Sequence, residues 1–496
     1  MKLRLFQKQK PVETITTSPA PKHKKRFFNG AKIGRLANFL PAYTPINQSL
    51  TVEAFFLVER ARALAQNSDH VTAFLRLMRR NVIGNTGFQL QVRAAGPSGE
   101  ADAETNAKIE ALWREYQSPA GGHVTPCGQL GGREFDALLL NTLLIDGEAF
   151  IHVVPDTSSR FGVRYELIDT LNVDYDYNVP DLPNGEFIRC SVRFDRNWRP
   201  IGYYIRHNPL NLSYKTGERI YYPASEIIHL FRREFPQQAR GVTPLAPAVI
   251  ALNQLDSYKE AELVAARMQA CNMAMYVKSV SGGGDVLDDE DVDDNGDYMS
   301  EMAPGQIAFA PDGYDVKQLA NNHPSGNFGA FVKSVCRGVF ASLGVSYNKG
   351  ASDFESVNFS SLREAALEDR AEWRELQAFI IENWKDRQYA NFLRGAILSG
   401  ELDARGFELY RRHHFYGRSW DWVDPQKDIA AIQSAIEMGL TDHITEIEKR
   451  GGDVDEILDR EALYLQKRKD RGLPPLAEIP TENIEITEPE QEGENA

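Results

Sequence analysis

From Gly326 to Gly400 the sequence allows few alternatives to a helix, a long polar loop and a second, much longer helix. Phe328, Phe331, Val335 and Val339 recur at steps of three and four, which puts them on one helical face. Gly344 supplies the freedom to take positive φ that commonly closes a helix. The residues from Val345 to Asn358 are too polar and β-branched to extend it. Ser361-Leu362-Arg363-Glu364 reads as a capping box, the Ser hydroxyl accepting the N3 amide and Glu364 reaching back to the Ser361 amide. No Gly or Pro follows until Gly395, so the second helix is a rod of roughly 50 Å at about 1.5 Å per residue. Trp373, Leu376, Ile380 and Trp384 stripe one side of it.

A helical hairpin buried in a core would show the same periodicity. It would not explain the connection. Helix–helix loops usually run about 2–8 residues, whereas residues 345–360 include Tyr347, Phe354, Phe359 and Lys349 in a much longer span. Long loops carried by rigid helices are often functional.

The length of 496 residues, with 42% hydrophobic and 25% charged side chains, fits a soluble chain of several domains. No run approaches a membrane span of about 18 apolar residues; the nearest, Ala137 to Ile145, is interrupted by Asn141. The charged start, Met1-Lys2-Leu3-Arg4, has no apolar segment behind it, so secretion is not expected. Cys127, Cys190, Cys271 and Cys336 lie far apart and are expected to be reduced and buried, in a cytosolic setting. Residues 1–36 carry ten Lys/Arg against Glu13, a net of +9, so the whole-chain charge of −14 leaves −23 on the remainder. Such a body does not adhere to DNA, but it suits a surface past which DNA must move.

In chain order, residues 1–48 hold Pro11, Pro19, Pro21, Pro41 and Pro45 and read as a basic disordered arm. Thr51 to Arg80 is helical with a break at Asn67-Ser68, where Ser68 is expected to cap. Phe88 to Val92 alternates as a strand. Ala103–Tyr116 and Glu134–Ile145 are helices. Strands are expected at Ala149–Val154, Tyr165–Ile168, Phe187–Phe194, Ile201–Arg206, Ile220–Tyr222 and Ile227–Phe231, making an α+β body with an antiparallel sheet. Pro244 sits where a helix opens, and that helix runs to about Ala270 with Ile250, Leu255, Tyr258 and Leu263 on one broad face. A small β-rich insert follows: strands at 272–280, 306–310 and 314–319 around Ser281-Gly282-Gly283-Gly284 and an acidic stretch, 285–301. After Gly400 come a strand at Phe407–Arg412 and helices at Pro425–Met438, Asp442–Arg450 and Asp453–Asp470. The tail has seven Glu and no Lys/Arg and reads as disordered.

No catalytic constellation stands out. Asp291 to Gly296 matches the first half of a calcium loop, but the twelfth position is Met302 rather than the required Glu. There is no GxxxxGK[ST], HExxH or GxSxG. His413 and His414 are adjacent and point apart on any regular element. Asp169, Asp174 and Asp176 are the one acidic group that a metal-dependent nuclease would use, and acidic strand ends are common without function. The residues indicate no cofactor, no metal and no enzyme.

Taken together, Arg60 to Gly84, Asp146-Gly147-Glu148-Ala149-Phe150, Arg240-Gly241-Val242-Thr243-Pro244-Leu245, Leu343-Gly344-Val345-Ser346-Tyr347 and Leu473-Pro474-Pro475 resemble, in order and spacing, a phage portal protein of the lambda type. The resemblance spans about Gln48 to Pro475. It implies an α+β, portal-type multidomain ring subunit with a wing, stem helices, a small β clip and a helical crown. The expected parts are a basic arm (1–48), wing (49–241), stem helix (242–271), clip (272–326), second stem helix (327–344), tunnel loop (345–360), long wing helix (361–400), crown (401–476) and acidic disordered tail (477–496). It further implies a homo-oligomeric ring, usually of twelve subunits, at a capsid vertex. Double-stranded DNA passes transiently through such a ring, and terminase, capsid protein and a head–tail connector protein are its partners; there is no membrane. Expected localisation is the virion, with assembly in the host cytoplasm. Ser346, Asn348, Lys349, Ser352 and Asn358 are the expected DNA-facing groups of the tunnel loop. The competing readings are a metal-dependent nucleic-acid enzyme using Asp169, Asp174 and Asp176, and a head–tail adaptor without a channel.

Overall fold

Helical stripes and short antiparallel ladders enclose three clusters of buried apolar side chains, a large one and two smaller ones. The computed structural model describes residues 44–94, 102–207, 214, 217–270, 274–278, 314–318, 328–355, 358–420, 425–448, 450 and 454–472. The fold is that of the unit Ile46–Ala496. Most of the basic arm, Cys271, the glycine run, the acidic stretch with Asp291–Gly296, the strand expected at 306–310 and the acidic tail lie outside the described residues.

Helix α1 (Ile46–Asn67) buries Leu50, Ala54, Val58, Ala61 and Leu64. It breaks at Ser68 before α2 (Asp69–Met78), which widens into a π-turn at Arg79–Ile83. Ser68 has the extended backbone of a cap, but its hydroxyl makes no capping bond. Strand β1 (Gln89–Val92) and helices α3 (Ala103–Gln117) and α4 (Gly132–Asp146) follow. Phe135, Leu139, Leu140 and Leu143 are buried along α4.

The strands are β2 (Glu148–Pro155), β3 (Val163–Ile168), β4 (Val179–Leu182), β5 (Glu186–Arg189), β6 (Val192–Phe194), β7 (Pro200–Arg206), β8 (Arg219–Pro223) and β9 (Ile227–Phe231). They form two antiparallel sheets, β3-β2-β9 and β4-β5-β6-β7-β8. The single strand expected at Phe187–Phe194 is two. The chain reverses at Cys190-Ser191, both at positive φ, so that Phe187 pairs with Phe194. Strand β4 carries Pro180 and lies at a sheet edge, where a residue without an N–H is tolerated.

Helix α5 (Val249–Ala270) begins five residues after Pro244, behind a run of turns. Its expected apolar face is divided: Leu252 and Leu255 are buried, while Ile250 and Leu263 are 69% and 59% exposed. Strands β10 (Ala274–Lys278) and β11 (Tyr314–Gln318) pair antiparallel. Then come α6 (Phe328–Ser342), the one-turn α7 (Tyr347–Gly350), α8 (Phe359–Ile380), a π-turn at Ile381–Lys385 and α9 (Asp386–Leu398). The expected rod is there, and Trp373, Leu376, Ile380 and Trp384 are all buried. The π-turn inserts an extra residue, and the consecutive Trp384 and Lys385 are both buried. Both reach Asp136 of α4, Trp384 Nε1 donating at 2.7 Å and Lys385 Nζ at 3.1 Å. Burial pushes the Lys385 ammonium pKa down, against the opposing pull of Asp136.

The strand expected at Phe407–Arg412 is instead a short helix, α10 (Phe407–Tyr410), and the strand β12 (His413–Tyr416) lies just beyond it. Strand β12 pairs with β1, Leu90 facing Phe415, which ties the end of the long-helix segment back to the start of the fold. His413 sits on Tyr389 and bonds Asp386, whereas His414 meets Tyr416, so the two rings serve separate contacts. Helices α11 (Pro425–Glu437), α12 (His443–Glu448) and α13 (Val454–Asp470) complete the described chain. Cys190 and Cys336 are buried as expected, but Cys127 is exposed. Thr125 and nearby backbone amides lower its thiol pKa.

Candidate functional site

The loop between α6 and α8 is fastened to both helices. Helix α6 closes at Gly344, whose φ of 68° is open to glycine at little cost. Asp369, its side chain only 3% exposed on α8, receives Ser346 N–H and Ser346 Oγ on its two oxygens, each at 2.7 Å. Lys349 Nζ lies 3.1 Å from the same carboxylate and 4.9 Å from the Trp373 ring centre. On the α6 side, Lys333 Nζ reaches Asp353 at 3.2 Å and Glu355 at 2.9 Å. Tyr347 donates to Asp353 at 2.7 Å; burial and that bond push the Tyr347 hydroxyl up to about 12. Arg337 covers the same ring.

Of the five residues expected to face DNA, Ser346 and Lys349 come together on Asp369. The other three do not join them. Asn348 is half-buried and its main-chain carbonyl accepts the Asp353 N–H. Ser352 is exposed in a turn at φ 54°. Asn358 is exposed and caps α8, its side chain accepting from Ser361 N at 2.8 Å. The helix therefore starts earlier than a capping box at Ser361 requires, and asparagine, a favoured N-cap, takes that place. Asp369 itself was missed. Its signal was an acid on the same stripe as Trp373, Leu376 and Ile380, where a carboxylate must find partners.

The two helices flanking the insert meet through Tyr258 of α5, 5.6 and 5.3 Å from Phe328 and Phe331 of α6. Lys259 anchors α5 to α2 through Asp69 at 3.1 Å and His70 at 2.9 Å. Burial lowers the His70 pKa and outweighs the pull of Asp69. Several apolar side chains are left exposed here, Ile250, Leu263, Val264 and Phe331, interleaved with the exposed Gln254, Ser257, Glu260 and Arg267.

Two sequence markers prove to be one structural joint. Glu148, at the start of β2, and Arg240 are both fully buried, with Arg240 Nη2 2.7 Å from the carboxylate. Arg240 also donates to the carbonyls of Val173, Cys190 and Thr170 and lies over the Tyr175 and Phe150 rings. Tyr175 Oη, His229 Nε2 and Gly241 N complete the shell of Glu148 at 2.8, 2.9 and 2.8 Å. A Cβ on Gly147 would come within 2.2 Å of the Val242 backbone, so Asp146-Gly147-Glu148 and Arg240-Gly241-Val242 fit only as glycine against backbone.

The carboxylates of the nuclease reading are engaged by arginines. Asp169 pairs with Arg62 at 2.7 Å, alongside Asp146. Asp174 lies 2.8 and 2.6 Å from Arg206 and Arg219, and Asp176 is largely exposed. Among the described residues no group of three His, Cys, Asp or Glu side chains is placed to hold a metal ion.

The profile of the family described as "Phage portal protein, lambda family" matches residues 32–377. The chain is 30% identical over 426 residues to the probable portal protein of Halomonas phage phiHAP-1, covering 84% of this chain and 81% of that protein. It is 22% identical over 490 residues to portal protein B of Escherichia phage lambda, covering 90% of each. A subunit in the virion of a native gene transfer agent particle is similar at 15% identity and a TM-score of 0.41, over 84% of this chain and 94% of that one. The chain belongs to the lambda family of phage portal proteins.

Proposed function

We propose that copies of this chain close into a ring, usually of twelve, at a capsid vertex, and that double-stranded DNA enters and leaves through its centre. In this reading the wing comprises 49–241 and the long helix 361–400. Residues 242–271 and 327–344 are the stem, 272–326 the clip that meets terminase and then the head–tail connector, and 401–476 the crown. Residues 345–360 line the channel, with Ser352 and Asn358 facing the DNA from exposed positions, Asn348 half-buried beside them, and Ser346 and Lys349 holding the loop to α8. The subunit resides in the virion, after assembly with capsid protein in the host cytoplasm. It hydrolyses nothing itself; the energy for packaging comes from a partner.

The observation that carries this reading is the set of apolar side chains left exposed on the helix pair beside the clamped loop. Ile250, Leu263, Val264 and Phe331 stand exposed in the single subunit, as expected of a surface that a neighbouring copy covers. Ring closure requires such head-to-tail contacts. Among the described residues no helix is long and apolar enough to cross a membrane. Negative-stain images of the purified protein are expected to show rings with a central hole; compact monomers or dimers throughout would overturn the reading. Deleting 346–358 is expected to leave rings while abolishing DNA packaging or retention. Full heads from the deletion would instead favour an adaptor without a channel.

A further inference from the structure

We propose that Asp369 is a charge-silencing residue: it withdraws Lys349 from the DNA path, so that the loop contacts passing DNA without gripping it. This rests on the reading that residues 345–360 line the channel. Each cation of α6 and the loop, among the described residues, is already engaged within the subunit. Lys333 is held by Asp353 and Glu355, Lys349 by Asp369, and the Arg337 guanidinium sits on the Tyr347 ring. Lys349 is the most restrained of the three, fixed between a carboxylate and the face of Trp373, and only a quarter of its side chain is exposed.

Asp369 is too buried to meet DNA and acts through Lys349. It is therefore a positioning residue, and its two bonds to Ser346 fix the start of the turn that carries Lys349. The consequence grows with copy number. Every lysine that meets a phosphate adds about 0.9 to the slope of log affinity against log salt. A ring multiplies one free lysine per subunit into a positive collar, and DNA would lodge there. Pairing each lysine with a buried carboxylate removes the collar while keeping the loop rigid.

The test compares Asp369→Asn with Asp369→Asn/Lys349→Gln in the full-length protein. The amide keeps much of the hydrogen bonding to Ser346 but carries no charge. The Asn variant is expected to retain a short linear duplex at low salt, with affinity falling roughly tenfold or more between about 50 and 200 mM salt. The double variant is expected to lose that retention. A separate readout is amine acylation at Lys349, followed by mass spectrometry. It is expected to be slow in the parent and several-fold faster in the Asn variant, whether or not rings are present. Equal labelling in parent and variant, or duplex retention that survives Lys349→Gln, would overturn the proposal. Electron micrographs of the same samples read the ring separately, so a missing ring is not confused with a missing charge effect. If Asp369→Asn fails to fold, the acylation rate of Lys349 in the parent is compared with that of the exposed Lys467; a several-fold slower rate at Lys349 is expected, and equal rates overturn the proposal.

Discussion

Replacing Arg240 with Met is expected to cost about 3–5 kcal/mol, the range seen when one partner of a buried ion pair is removed. That is a large part of the roughly 5–15 kcal/mol that holds a domain folded. The cost arises from what the guanidinium leaves behind. Glu148 stays fully buried, and the carbonyls of Val173, Cys190 and Thr170 lose a donor. The pair also sets an acid limit. Burial alone would raise the Glu148 pKa, but Arg240 foremost, with His229, overrides it and lowers the value from 4.5 to about 2. A folded-state pKa below the unfolded one means the contribution is complete above about pH 4.5 and drains away as pH falls toward 2. In the Met variant burial acts unopposed by Arg240, so the acid-unfolding midpoint is expected to move to higher pH. Adding Glu148→Gln should recover part of the loss, because the stranded charge is gone. Urea melts across the acid range check both statements; a Met variant with unchanged stability and an unmoved acid midpoint would show that the pair contributes little.

Period and punctuation made the long elements legible. Trp373, Leu376, Ile380 and Trp384 recur with the helix and are buried with it, and the cut between α1 and α2 falls at Asn67-Ser68. What escaped were features with no period. The turn at Cys190-Ser191 uses positive φ at two residues that are not glycine, so Phe187–Phe194 looks like one unbroken strand. The acid at 369 is a single position whose meaning depends on Ser346 and Lys349 folding back onto it. Glu148 and Arg240 stood out as parts of separate markers, yet nothing in a linear reading says that markers 92 residues apart touch. The α5 helix shows a different limit. Its periodicity identifies the apolar positions, but not whether the cover over Ile250 and Leu263 belongs to the same chain, and among the described residues both side chains stay largely exposed.

Gly395→Ala in α9 is expected to destabilise the protein by about 3 kcal/mol or more, at the upper end of what overpacking costs. The usual rule has the opposite sign: alanine in a helix interior is better than glycine by roughly 0.5–1 kcal/mol. Here a Cβ would lie 1.6 Å from the Phe161 carbonyl oxygen and 2.5 Å from its carbon. Those are backbone atoms and cannot swing aside as a side chain does, so α9 or the Phe161 turn must retreat. The retreat would open an aromatic cluster in which Phe392 meets Trp113, Tyr116 and Phe161 at ring separations of 5.1, 5.4 and 5.5 Å. Gly338→Ala in α6 supplies the contrast, because nothing lies within 4 Å of the Cβ it would add. There the ordinary propensity gain should appear, raising stability by about 0.5–1 kcal/mol. Denaturant melts of the two variants should therefore shift in opposite directions. If both shifted upward, the close crossing of α9 over Phe161 would not exist in solution.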